Sequence, residues 1–290
     1  MSLNKPIWKL RDWINPEYLD WSFLSKNPNA LDLLNENQDK IDWYNLSSNP
    51  NALELLEKNL NKVNWSILSS NPNAIKLLKE NQDKVNWYYL SSNPNAIELL
   101  KKNTDKIHLF ALTLNINTDA IKILEENPDK INWEFLSKNP NIIKSLKENC
   151  NKMCSYFINR MQNPNSDENE WSNLSGNPNA ISILEQNTDK IDWDLLSANP
   201  NAIKLLEKNQ NKIEWYSLSC NPNALELLKK NLDKINWKQI SANPSIFELD
   251  YEAMRRNNEK LYEELIKEVM KPSRVFKNPD YDYLEELFGD

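Results

Sequence analysis

A 22-residue period constrains this chain more than any other feature. Trp21, Trp43, Trp65 and Trp87 stand 22 residues apart, and Leu109 takes the next slot. Trp133, Ser155, Trp171, Trp193, Trp215 and Trp237 continue the series at spacings of 24, 22, 16, 22, 22 and 22. The unit reads W-x-x-L-S-x-N-P-N-A-I-x-L-L-x-x-N-x-D-K-I-x, with eleven starts. Repetition at this length means that each unit is one supersecondary element, which buries its apolar face only against its neighbours.

Each unit reads as two short helices. Asp20, Asp42, Asn64 and Asn86 precede the Trp slot and are good N-caps, so W-x-x-L-S starts a first helix with Trp and Leu on one face. Asn-Pro follows, as in Asn49-Pro50, Asn71-Pro72 and Asn199-Pro200. Proline disfavours helical geometry in the residue before it and suits the first position of a helix, so the pair ends one helix and begins the next. In the second unit the next helix is expected from about Pro50 to Glu57, with Ala52, Leu53 and Leu56 on its apolar stripe. The chain has only 2 glycines. The Asn that closes each second helix (Asn37, Asn59, Asn81 and so on) is therefore expected to take the left-handed C′ position that glycine usually fills. The Lys three residues later, from Lys40 to Lys234, reads as a solvated charge near a helix end.

Helices this short are marginal alone in water. Stacked, they give an all-α solenoid of about eleven helix-turn-helix repeats with N- and C-terminal caps. A leucine-rich repeat has a similar period, but its strand would have to carry the Ser and Pro found here. The expected organisation is an N-terminal cap at 1–20, regular repeats at 21–108, irregular repeats at 109–170, regular repeats at 171–244 and a C-terminal helical cap at 245–290. The Trp row, including Trp43, Trp65, Trp87, Trp193, Trp215 and Trp237, is expected in the core. The unit at 109 lacks both Trp and Asn-Pro, and the unit at 155 loses its second helix to the polar SDENE. These breaks are either drift where stacking tolerates it or a built feature on one side.

The recurring motif, the lead-in L-R-D-W-I-N-P and the closing N-P-S-I-F-E-L-D-Y followed by K-P-S-R together resemble an uncharacterised family of tryptophan/Asn-Pro repeat proteins. Those proteins belong to giant, mimivirus-like nucleocytoplasmic large DNA viruses. The resemblance runs from about Leu10 to Arg274. It departs at the units beginning at 109 and 155, and at Lys271, where a His is expected. It implies a viral origin and a place in the host cytoplasm or the virion. It carries no catalytic residues.

The residues themselves offer little chemistry. Net charge is −7 and pI about 5.1, opposite to what a nucleic-acid binder needs. No stretch approaches the length of a membrane span. The start, MSLNKPIWKLRDW, lacks the apolar core of a signal peptide, and Cys150, Cys154 and Cys220 make a poor disulfide framework, so a non-secreted, reducing setting is expected. Cys150 and Cys154 lack further ligands for tetrahedral zinc. The one histidine, His108, sits in a cap slot and reads as a cap substitute. Two glycines cannot build a phosphate-cradling loop. The expectation is a protein that is not an enzyme, with no catalytic residues, cofactor, metal or small-molecule substrate.

A protein partner is the remaining expectation. The two positions after each Trp vary while the rest of the unit stays fixed. They include Phe23, Tyr44, Tyr88, Tyr89, Phe135 and Tyr216, a candidate interaction ridge of the kind that repeat proteins present to partners. The competing reading is that these side chains only fill space between units. The function expected is a non-enzymatic scaffold for protein–protein interaction; the alternative is a structural virion component, minor capsid-associated or internal, for which an extended rod would suit bridging.

Overall fold

Asp42 shows how a unit begins. Its carboxylate accepts from the backbone N–H of Asn45 at 3.1 Å and caps the Trp43–Leu46 helix. Asp20, Asn64, Asn86 and Asn236 cap their own first helices in the same way. The first helix stops where proline dictates: Asn71 is extended, with φ −71° and ψ 118°. A turn then carries the chain through Pro-Asn into the second helix, which begins later than the sequence implies, at Leu53 rather than Pro50 in the Leu53–Glu57 helix. A 3-10 turn, such as Leu60–Lys62, completes the unit. The structure, a computed structural model, describes residues 6–126, 131, 133–141 and 168–269. The unit beginning at 155, with Cys150 and Cys154, lies outside the described residues.

The fold is an all-α repeat solenoid. Leu24, Leu46, Leu68 and Leu90 from the first helices are fully buried, as are Leu34, Leu56, Leu78 and Leu100 from the second. Ala30, Ala52, Ala74 and Ala96 close the layer between them. First helices pack on first helices of neighbouring units, as Trp65–Ser70 does on Trp87–Ser92, and second helices pack on their own unit. The Trp133–Leu136 helix packs directly on Glu168–Ser175, so the unit at 133 and the unit at 171 are neighbours in the stack.

What joins the units is polar. Among the described residues, the Asn of each interior Asn-Pro slot donates both Nδ2 hydrogens to two backbone carbonyls of the preceding unit in the stack, at 2.8–3.1 Å. Its Oδ1 accepts the N–H two residues on, as Asn71 does from Asn73 at 3.0 Å. The buried amide is thereby satisfied at three sites, as a buried polar group must be. The Ser of L-S is the second link. Ser47 donates to the Trp43 carbonyl at 2.8 Å and accepts from the N–H of Asn64 in the next unit at 3.0 Å. A third link runs from the second Asn of Asn-Pro-Asn, as from Asn73 Nδ2 to the Pro50 carbonyl at 2.9 Å.

These ladders close on themselves. Asn27, in the first unit, donates to the carbonyls of Ser241 and Asn243 in the last, both at 3.0 Å. Asp20 N–H donates to Ser241 Oγ at 2.9 Å and Asn29 Nδ2 to the Pro244 carbonyl at 3.0 Å. Every bond type of an interior interface recurs at this seam. The repeats therefore form a closed ring of ten stacked units within the compact unit Leu10–Phe247. The two terminal apolar faces cover each other, and Tyr18, from the front segment, sits edge-on to Trp237 at 5.2 Å across the seam. The extended rod expected of an open stack is not what these repeats build.

The second compact unit comprises Met1–Lys9 and Glu248–Asp290. Strand β1 (Trp8–Leu10) pairs with β2 (Phe247–Leu249). Asp250 N–H bonds the Ile7 carbonyl and Arg11 N–H the Ile246 carbonyl, a constant register sum that makes the pair antiparallel. Asp250 then caps the Tyr251–Val269 helix through the N–H of Ala253.

Two expectations are corrected and a third is extended. No described residue has positive φ, and Asn37 sits at φ −131°, ψ 54°. The closing Asn works instead through its side chain: Asn37 Nδ2 donates to the Leu33 carbonyl at 2.9 Å, and Asn59, Asn81, Asn103 and Asn209 do likewise. That satisfies one of the carbonyls left open at a helix end. The Trp row is half-buried rather than core, with Trp171 alone fully inside among the described Trp side chains. The recurring Lys is exposed in the last turn of its 3-10 helix, as expected, and in addition lies over the Trp ring of its own unit.

Candidate functional site

The ridge starts from that Lys–Trp pairing. Lys40 lies over Trp21, Lys62 over Trp43, Lys84 over Trp65 and Lys106 over Trp87, with the ammonium 4.4–4.6 Å from the ring centroid. Lys190, Lys212 and Lys234 repeat the arrangement on Trp171, Trp193 and Trp215. Each cation covers the electron-rich face of a large ring that its short helix cannot bury. This fixes the Trp and orients the two positions that follow it.

Those two positions touch from unit to unit. Ser22 donates to Asp42 at 2.6 Å and accepts from Asn45 Nδ2 at 2.7 Å. Asn86 Nδ2 donates to Ser66 Oγ at 3.2 Å. Ser217 donates to Asp194, and Gln239 Nε2 donates to the Tyr216 hydroxyl. The polar bonds among Ser22, Asp42 and Asn45 hold the Asp42 carboxyl below its usual range; burial opposes them and is the largest single influence. Part of the ridge does fill space between units, as the competing reading held.

The expected ridge residues fall into three settings. Phe23 is half-buried beneath two ammonium groups, Lys26 at 4.2 Å and Lys238 from the last unit at 5.1 Å. Tyr44 and Tyr216 are exposed and stand in separate units. Tyr88, Tyr89 and Phe135 belong to one continuous patch. Tyr88 and Tyr89 meet edge to face at 5.5 Å, Tyr88 stacks on Phe110 at 6.3 Å, and Phe110 meets Phe135 at 4.9 Å. Tyr88, Tyr89 and Phe110 remain 39%, 37% and 40% exposed, and Leu114 and Ile116 of the same irregular unit are exposed as well.

Phe110 is the residue that the sequence reading missed, and it joins the others. The signal was present: with Leu109 in the Trp slot, Phe110 takes the position of Tyr44 and Tyr88. His108 is also reassigned. Its side chain makes no cap hydrogen bond to the Leu109–Leu112 helix; the ring lies against Tyr88 at 5.6 Å. Phe110 and His108 thus join Tyr88, Tyr89 and Phe135 in one run of ring contacts. Among the described residues no group of three or more His, Cys, Asp or Glu is placed to hold a metal ion. Cys220 is a free, half-buried thiol whose pKa is pushed up by burial.

Comparison with family models, with curated proteins and with solved structures gives no match. The class is defined by the fold itself, an all-α repeat solenoid whose ring is closed by the same bonds that stack it.

Proposed function

We propose that this protein is a non-enzymatic repeat scaffold that binds a protein partner on the ridge around Tyr88, Tyr89, Phe110 and Phe135. The observation that carries the reading is the contrast between frame and ridge. Ten units repeat the same buried Asn, nine of them with a buried Ser (Thr113 stands in once) and nine with a buried Leu (Ile240 stands in once), while the positions after Trp vary and bring exposed aromatic rings together. Tyr and Phe supply large contact area and are enriched where proteins meet. The acidic total of the chain disfavours nucleic acid as the partner. The test is affinity capture with the tagged full chain and with Tyr88→Ser/Phe110→Ser, followed by calorimetry on the recovered partner. Binding lost in the variant, with its unfolding midpoint kept, supports the reading. A partner held equally by both proteins counts against it.

The resemblance to giant-virus repeat proteins supports placing that partner in an infected cell or particle. The alternative, a structural virion component, rests on the same resemblance; it loses the argument from an extended rod, since the repeats close. Proteomics of purified particles separates the two, and absence from particles removes the alternative.

A further inference from the structure

We infer that the partner segment seated on the Tyr88–Tyr89–Phe110 cluster is basic, presenting Lys or Arg side chains to the open ring faces. This deepens the scaffold reading and rests on it. The argument comes from how the protein treats its other aromatic rings. Seven Trp rings are each covered by a lysine of their own unit, at 4.4–4.8 Å. Phe23 has two lysines over it and Phe135 has Lys138 at 5.8 Å. Lysines thus cover seven Trp rings and these two Phe rings, whereas among the described residues Tyr44 and Tyr216 stand exposed without one.

Tyr88, Tyr89 and Phe110 also lack one and, unlike Tyr44 and Tyr216, stand in one run of ring contacts. Among the described residues no ammonium or guanidinium lies over them, and their partners are one another, His108 and Phe135. Lys106 covers Trp87 and Lys138 lies over Phe135 instead. Three contiguous rings therefore offer uncovered π faces, which attract cations by their quadrupole. The whole chain carries −7, so long-range attraction also favours a basic segment and disfavours an acidic one. Planar guanidinium stacks on such rings better than ammonium, so arginine is the preferred contact.

The test uses phage-displayed random dodecapeptides selected on the full chain, at raised salt to screen exposed charges, and counter-screened on Tyr88→Ser/Phe110→Ser. The expected result is a set of ridge-dependent peptides rich in Arg and Lys. In synthetic versions each Arg→citrulline or Lys→norleucine exchange should weaken binding to the unaltered protein by roughly three- to fivefold; this second measurement needs no protein variant. Ridge-dependent peptides that lack basic residues, or that are indifferent to the exchanges, overturn the basic-segment inference and leave the scaffold reading standing. Recovery of no ridge-dependent peptide overturns both.

Discussion

Asn27 and Asn243 are 216 positions apart in sequence, yet Asn27 Nδ2 donates to the Asn243 carbonyl at 3.0 Å. The interior pair Asn221 and Asn199 makes the same bond at 2.9 Å. The seam between first and last units is therefore chemically one more interface. In an open stack a terminal unit has one neighbour and frays. In the ring, Asn27→Ala and Asn221→Ala should cost about the same, roughly 2–4 kcal/mol, because each deletes two bonds to buried carbonyls. Urea unfolding of the two variants makes the comparison, and a seam variant much milder than the interior one contradicts closure.

Asn71 allows a sharper test of the ladder. Its two donated bonds end on the carbonyls of Ser47 and Asn49. Asn71→Asp keeps the shape but aims a carboxylate at two carbonyl oxygens in a buried site, so it should destabilise more than Asn71→Ala at neutral pH. Burial raises the folded pKa of such a carboxyl. The extra cost is then present above that raised value and fades as pH falls toward the unfolded value. A pH series of chemical unfolding should show the two variants converging in acid; parallel curves would refute the assignment.

Trp65 and Lys84 form a half-exposed pair with the ammonium 4.6 Å from the ring. Trp65→Ala should cost about 3 kcal/mol, the low end for large-to-small aromatic changes, because part of the ring already faces water. Lys84→Ala should cost about 0.5–1 kcal/mol through the lost cation–π contact and stem packing. Acrylamide quenching of the native protein should be intermediate, and should rise in Lys84→Ala. Emission fully shielded from the quencher would place the row in the core after all.

Asp119 lies between two ammonium groups, 2.8 Å from Lys122 and 2.9 Å from Lys101. Hydrogen bonds to Lys122 and then Lys101, with their charges, lower its pKa to about 2. The sign follows directly: a depressed carboxyl contributes above its unfolded value, and the contribution is lost as pH falls through about 2. Asp119 is partly exposed and its two lysines are exposed, so the effect on stability is small and salt-sensitive. Carboxyl-carbon NMR titration should find the Asp119 midpoint depressed to about 2, and Lys122→Gln should raise it.

Much of the unit was legible from local rules. Asp20, Asp42 and Asn64 cap as N-caps do, and Asn71 is extended because Pro72 follows it. What escaped was long-range or borrowed the look of a local signal. Asn49 reads as a pre-proline breaker and is one, but its amide also spans to Ser25 and Asn27 of the previous unit, a partner fixed only once units stack. Asn37 stands where a left-handed residue would, yet its side chain closes the helix without positive φ. Ring closure is a sum of small rotations over ten interfaces, and no single unit encodes it visibly. On the ridge, Tyr88, Tyr89 and Phe135 were found because the Trp register is intact there. Phe110 was missed because Leu109 hides the register.

The most direct measurement of closure is amide hydrogen exchange with NOE detection at Asp20. Its N–H donates to Ser241 Oγ at 2.9 Å, as the Asp42 N–H donates to Ser25 Oγ at 2.9 Å. The ring predicts comparable protection of the two amides and NOEs between Asp20 and Ser241. An unprotected Asp20 beside a protected Asp42, with no contact to Ser241, would mean that the repeats stack as an open solenoid.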